Sequence, residues 1–207
     1  MKRERSEKKR ERILSAALDL FNSTHNVKKV SIEDIARNAR VSPTTIYNQF
    51  GSREDLVREV AKILMLKIVQ MSAAHIHSDL PFPRKLNEIM TGKIDIASRA
   101  HRELLVKLTS QDPAMAPFIE ETYRTEIKPL WLDFFEHGKK EGYVDPSLDD
   151  EVLLLYLDIW RAGLASMPEL TRDWEKNMPI IEKLTHLVFY GFLKKDIDLF
   201  KKGKKRP

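Results

Sequence analysis

Two groupings in this 207-residue chain have the residue types of a reactive site. His75, His77 and Asp79 offer imidazole and carboxylate ligands, and Asp149, Asp150 and Glu151 offer three adjacent carboxylates. Neither grouping has the spacing a metal requires. Positions i and i+2 diverge on a helix, no fourth ligand stands beside the histidines, and the acidic triplet sits where carboxylates favour a helix N-terminus. Cysteine is absent, which removes disulfides, thiolate metal sites and thiol nucleophiles. No glycine-rich phosphate loop and no serine, histidine and aspartate grouping emerges. We therefore expect no metal, no cofactor and no catalysis, with an all-α small-molecule-binding enzyme as the least favoured alternative.

A different chemistry is available at residues 43–50, PTTIYNQF. At 100° per residue Ile46 and Phe50 fall together and must pack inward with Val41, while Thr44 and Asn48 face outward, flanked by Thr45 and Tyr47. Asparagine can pair with adenine N6 and N7, a threonine methyl can touch the thymine methyl, and a tyrosine hydroxyl can donate to phosphate. An ordinary polar surface helix would look the same. The ridge carries no lysine or arginine, so strong guanine readout is not expected from it.

The elements that must position this ridge are legible. Ile13, Ala16, Ala17, Leu20 and Phe21 form one apolar stripe of a first helix that ends near residues 22–26. Ser31 with Asp34 has the pattern of a capping box, followed by the apolar positions Ile32, Ile35, Ala36 and Ala39. Ser42 followed by Pro43 is a second start signal. Helix 32–39, the turn Arg40-Val41-Ser42 and helix 43–49 make a helix-turn-helix, an arrangement that also occurs in all-α domains without a nucleic-acid role. Ser52 and Asp55 repeat the cap pattern and open a helix running to about His77, long enough to join two bodies. Beyond a loop at 79–83, apolar periodicity predicts helices at roughly 84–99, 101–110, 116–140, 148–167 and 180–195.

Charge is divided unevenly. The 36 basic and 31 acidic residues give a net charge of +5, with 13 basic against 9 acidic in residues 1–60, 16 against 20 in 61–193, and 7 against 2 in 194–207. A basic head and tail could meet a polyanion or could simply be solvated. The arm Lys2–Arg12 could add phosphate or minor-groove contacts, with disorder and no role as the alternative. Its charge also rules out a signal-peptide segment, and no stretch reaches the ~18 apolar residues of a membrane helix, which points to a soluble cytoplasmic protein.

The stretch SIEDIARNARVSPTTIYNQFGSREDLV, Ser31 to Val57, closely resembles the DNA-binding signature of TetR-family transcriptional regulators. The likeness combines the first-helix pattern RILSAALDLF with Ile35-Ala36, Val41-Ser42, Ile46-Tyr47, Phe50 and the Ser52-Arg53-Glu54-Asp55-Leu56 helix start, and covers about residues 8–60. It implies an all-α fold: a helix-turn-helix DNA-binding domain at 1–52, joined by a long helix to a ligand-binding and dimerisation domain at 53–207. Carried over by position, it implies Ser31, Arg40, Ser42, Pro43, Thr44, Thr45, Tyr47, Asn48, Gln49 and Arg53 as DNA-contacting residues. Arg40 departs from the pattern, because many members have glycine in that turn. A left-handed conformation there would cost arginine ~1 kcal/mol relative to glycine.

The second half resembles the family in architecture only. Core packing accounts for most of its aromatics, and a mostly apolar effector pocket is the functional alternative. The candidates for that pocket are Met90, Ile94, Leu105, Tyr123, Trp131, Phe135 and Trp160. Leu184, Leu187, Val188, Gly191 and Phe192 form an apolar stripe that could pack within one chain. With Leu153 and Leu157, the resemblance implies a four-helix interface between two subunits. The expected protein is a homodimeric repressor that binds a palindromic duplex operator and is released by a small, largely apolar effector. A non-specific DNA-coating protein is the alternative.

Overall fold

The computed structural model describes residues 2–24, 29–90, 112–167, 169–170 and 174–190, and every regular element among them is helical. They fall into two compact units, divided between Ile68 and Val69 inside one long helix, with residues 112–119 in the first unit and residues from Glu120 onward in the second.

In the first unit, α1 (Lys2–Thr24), α2 (Ile32–Ala39), α3 (Pro43–Phe50) and the early turns of α4 (Arg53–Ile76) enclose one apolar core. Its members come from each helix at the expected spacing: Ile13, Ala17 and Phe21; Ile32, Ile35 and Ala36; Ile46 and Phe50; Leu56, Val60 and Leu64. Lys2–Arg12 does not form an extended arm, because these residues are the first turns of α1. A helix about 10–12 Å across cannot enter a minor groove about 6 Å wide, so the minor-groove expectation for this segment is set aside.

The second unit is built from the last turns of α4, α5 (Phe82–Met90), the end of α6 (Ala116–Thr122) from Glu120 onward, a π-helical turn (Tyr123–Ile127), α7 (Lys128–Lys140), α8 (Asp150–Ala165) and α9 (Trp174–Tyr190). Of the helices expected at 84–99 and 101–110, residues beyond Met90 lie outside the described residues. Helix α9 starts before the expected Ile180 and continues through Pro179.

Phe82, Leu86, Phe134, Phe135, Val144, Leu153, Leu157 and Phe189 make the centre of this core. Phe82 stacks on Phe134 with ring centroids 4.6 Å apart. Two polar side chains close the helix ends that meet there. The buried Lys85 ammonium donates to the Ile76 carbonyl at 2.6 Å, satisfying the C-terminus of α4, and lies 3.0 Å from His137 Nδ1. Glu141 accepts the Phe82 amide at the start of α5 with both carboxylate oxygens at 3.2 Å. Desolvation holds the Lys85 pKa below its ordinary value, against the opposing charges of Glu141 and Asp79.

Gly138 allows α7 to approach the loop after it: a Cβ there would lie 2.5 Å from Val144 Cγ2 and 2.7 Å from Phe82 Cε2. Gly138→Ala should therefore destabilise the second unit by about 1–3 kcal/mol, read as a lowered thermal or denaturant midpoint.

Candidate nucleic-acid interface

Local chemistry fixes each end of the helix-turn-helix. Ser31 Oγ accepts the Asp34 amide at 3.1 Å and donates to Asp34 Oδ2 at 2.6 Å, while Asp34 accepts the Ser31 amide, which completes a capping box. These bonds from Ser31, aided by the charge of Arg37, hold the Asp34 carboxyl below the ordinary range against a desolvation effect of opposite sign. Ser42 Oγ accepts the Thr45 amide at 3.2 Å and contacts Thr45 Oγ1 at 2.9 Å, with Pro43 in the first turn. Ser52 and Asp55 form the third cap, and the Ser52 hydroxyl is the main reason the Asp55 pKa is lowered.

The turn between α2 and α3 carries the strain that the sequence raised. Arg40 has φ 53° and ψ 51°, the one non-glycine residue with positive φ among the described residues. Its amide donates to the Arg37 carbonyl, and the Val41 amide to the Ala36 carbonyl at 3.0 Å, the bond pair of a Schellman ending. Two further carbonyls at the ending are met by Arg12 from α1, whose Nη2 donates to Ala39 O at 2.5 Å and to Arg40 O at 3.2 Å. A charge-assisted bond at a helix C-terminus, where carbonyl dipoles accumulate, offsets the cost of the left-handed arginine.

This frame presents α3 as a ridge. Ile46 is fully buried and Phe50 nearly so, whereas Thr44 and Asn48 are exposed and Tyr47 keeps 48% of its surface. Pro43 is exposed at the leading end and Thr45 is half-buried. Gln49 is half-buried, and its Nε2 donates to Ser6 Oγ of α1 at 2.9 Å. Arg53 is half-buried as well, with Nη2 donating to the Val30 carbonyl at 3.0 Å. Of the ten residues singled out in the sequence, Ser31, Ser42, Thr45, Gln49 and Arg53 thus have side-chain contacts within the domain.

The structure also shows what the sequence reading missed. Arg12 is the side chain that closes the turn, and Arg10 bonds Glu59 at 2.6 Å while its guanidinium lies 4.8 Å from the Phe50 ring centroid. The Glu59 carboxyl is held below its ordinary pKa by Lys62 and Arg10, which outweigh its desolvation. For Arg10 alone a signal was available, since it stands four and seven residues before Leu14 and Ala17 and so falls on the core side.

In the second unit the pocket candidates lie in or beside the core. Phe135 is fully buried, Trp131 stacks on it with centroids 5.8 Å apart, and Trp160 packs at the core margin. Tyr123, at the π-helical turn, donates to Asp158 Oδ1 at 2.5 Å beneath the Arg161 guanidinium, 4.0 Å from its ring. Burial first, then Asp158, pushes the Tyr123 pKa up to about 12. The side chain of Met90, and Ile94 and Leu105, lie outside the described residues.

The interface candidates need a correction of phase. Leu153, Leu157 and Val188 are 2%, 5% and 9% exposed and belong to the core of their own chain. The exposed stripe on α8 is Val152, Leu155, Tyr156 and Ile159, one helical position away, at i, i+3, i+4 and i+7. On α9, Leu187 is exposed at 67% and Leu184 is half-buried, while Gly191 and Phe192 lie outside the described residues. Among the described residues no group of three His, Cys, Asp or Glu is placed to hold a metal, and no helix is long and apolar enough to cross a membrane. His75 and His77 approach different carboxylates, Glu88 at 3.6 Å and Asp133 at 2.9 Å.

Residues 13–60 match the family model described as bacterial regulatory proteins, tetR family. The HTH-type transcriptional regulator YhgD of Bacillus subtilis is 23% identical over 177 residues, which are 84% of this chain and 87% of that protein. The HTH-type transcriptional repressor KstR2 of Mycolicibacterium smegmatis is 21% identical over 72% of this chain and 74% of its own length. Among solved structures, Salmonella enterica GusR has a TM-score of 0.58 at 20% identity over 90% of this chain and 96% of that one. A TetR family protein from Vibrio parahaemolyticus has 0.53 at 22% identity over 90% and 100%. At these identities the solved structures show a shared fold.

Replacing Arg40 by glycine should raise the unfolding free energy by about 1 kcal/mol, because only the left-handed strain is removed. Arg12→Ala should lower it by about 1 kcal/mol by leaving two helix-end carbonyls without their donor. Chemical denaturation of the two variants beside the parent protein checks both signs.

Proposed function

We propose that this chain, a TetR-family transcriptional regulator by its first domain, acts in the cytoplasm as a homodimeric repressor of a palindromic operator and is released by a small, largely apolar effector. Residues 1–52 would serve DNA binding, and residues 53–207 effector binding and dimerisation. The observation that carries the reading is the α3 ridge: Thr44, Tyr47 and Asn48 stand exposed on a helix whose opposite side, Ile46 and Phe50, is locked in the core. A two-turn helix held this way can lie in a major groove with Asn48 against an adenine edge and Tyr47 on phosphate.

Two copies are supported by the exposed apolar stripe of α8 and by Leu187 and Ile180 of α9, which a single chain leaves in water. The two helices are tied side by side where the Tyr156 hydroxyl donates to the Val188 carbonyl at 2.9 Å, so their exposed faces make one surface. A palindromic operator offers two half-sites one DNA turn apart, about 34–36 Å, one for the α3 helix of each subunit. Release then requires an effector that prefers a different arrangement. Helix α4, unbroken from Arg53 to Ile76 across the division of the units, is the element through which that preference would act.

Selection of bound fragments from a random duplex pool should return an inverted repeat; a pool without one would exclude this reading in favour of non-specific coating. On the selected operator, Tyr47→Ala and Asn48→Ala should each weaken specific binding by about 1–3 kcal/mol. Ile159→Asp should convert the sedimenting species from dimer to monomer without loss of helicity, and an unchanged dimer would exclude the α8 stripe as the seam.

A further inference from the structure

The recognition helix contains no cation, yet specific binding to duplex DNA draws much of its affinity from neutralised phosphates. The first three turns of α1 supply the missing charge in an ordered form. Arg5, Lys8, Lys9 and Arg12 stand at i, i+3, i+4 and i+7, so they occupy one stripe, and all four are exposed. Glu4, Glu7 and Glu11 collect on a separate stripe about 100° round the helix. Arg10, on the core side of the helix, is taken up by Glu59 and Phe50.

Two contacts fix where this basic stripe lies. Arg12 reaches the turn that precedes α3, and Ser6 receives the Gln49 amide at the far end of α3. Residues 6–12 of α1 therefore run alongside α3, in the opposite direction, as part of the same unit. The stripe is held beside the ridge by the domain core and does not depend on a mobile arm finding its site. The exposed Lys8–Glu4 pair at 3.1 Å is no competitor, since such surface pairs are weak and screened.

We propose that Arg5, Lys8, Lys9 and Arg12 of α1 form a second duplex-binding surface, a phosphate-contacting rail next to a neutral reading helix. This rests on the α3 docking proposed above and adds the DNA backbone beside the bases that α3 reads. It divides labour within one domain: α3 selects the sequence, and α1 supplies affinity that is independent of sequence but strongly dependent on salt.

The test is the triple variant Arg5→Gln, Lys8→Gln, Lys9→Gln in the full-length protein, with Arg12 kept because it also closes the turn. Affinity for the selected operator and for a random duplex would be measured across a salt series. A charge-matched control, Lys67→Gln, Arg124→Gln, Lys140→Gln, replaces exposed cations outside α1. The rail variant should lower the salt slope by about 2.7 per bound chain, at about 0.9 per lost phosphate contact, and weaken both duplexes by the same factor while the operator's consensus is retained. The control should leave the slope in place. A rail variant with parental slope, or a control that falls equally, would overturn the proposal. If the parent protein selects no inverted repeat yet the rail variant still loses slope, it is the α3 docking that fails and the rail that stands. Circular dichroism and the unfolding midpoint identify a variant that has lost its fold, and for that case single substitutions at Arg5 and at Lys9 carry the same slope measurement.

Discussion

A single carbonyl-rich corner determines how the first unit presents α3. The chain must reverse between α2 and α3 within three residues, and it does so through a left-handed arginine, a conformation that costs any side chain with a Cβ. What makes the corner tenable is a cation from elsewhere in the sequence: Arg12, twenty-eight positions before Arg40, donates to the two carbonyls exposed by the reversal. That bond ties α1 to the turn, the turn sets the exit of α3, and the exit decides that Ile46 faces inward and Asn48 outward.

The same arrangement explains a division of residue types that otherwise looks wasteful. A helix meant for base edges is best kept polar and neutral, because a cation there would favour any phosphate over a particular base. In the proposed docking, affinity would come from a neighbour, and α1 has the length to serve as both core helix and charged rail. Its apolar turns from Ile13 to Phe21 bury against α2 to α4, while its earlier turns carry the cations. One helix thus connects core stability to the field that duplex DNA would meet.

The second unit is stabilised differently. Its helix ends are closed by buried or half-buried ionic groups, Lys85 on the α4 terminus and Glu141 on the α5 start, and its aromatic rings stack around Phe82 and Trp131. The π-helical turn at Tyr123–Ile127 shifts the register of the 116–140 helical run by one residue and brings Tyr123 onto Asp158. Side chains committed in this way hold the packing of the second unit in one arrangement.

Period and caps were enough to place the helices of the first unit. Ser31, Ser42 and Ser52 announce helix starts through bonds only a few residues long, and the Ile46–Phe50 phase follows from 3.6 residues per turn. Local rules of this kind act within one turn, so the sequence determined the helix-turn-helix, the face of α3 and the length of α4. They could not find Arg12 on the Arg40 carbonyl, Gln49 on Ser6 or Arg53 on Val30, since each joins residues more than twenty positions apart. Nor could they choose between Leu153 and Val152 as the outward side of α8: that helix is leucine-rich around most of its circumference, and only packing against Phe134, Phe135 and Val188 decided which stripe is covered. Periodicity tells which residues share a face, and the tertiary fold alone tells which face meets water.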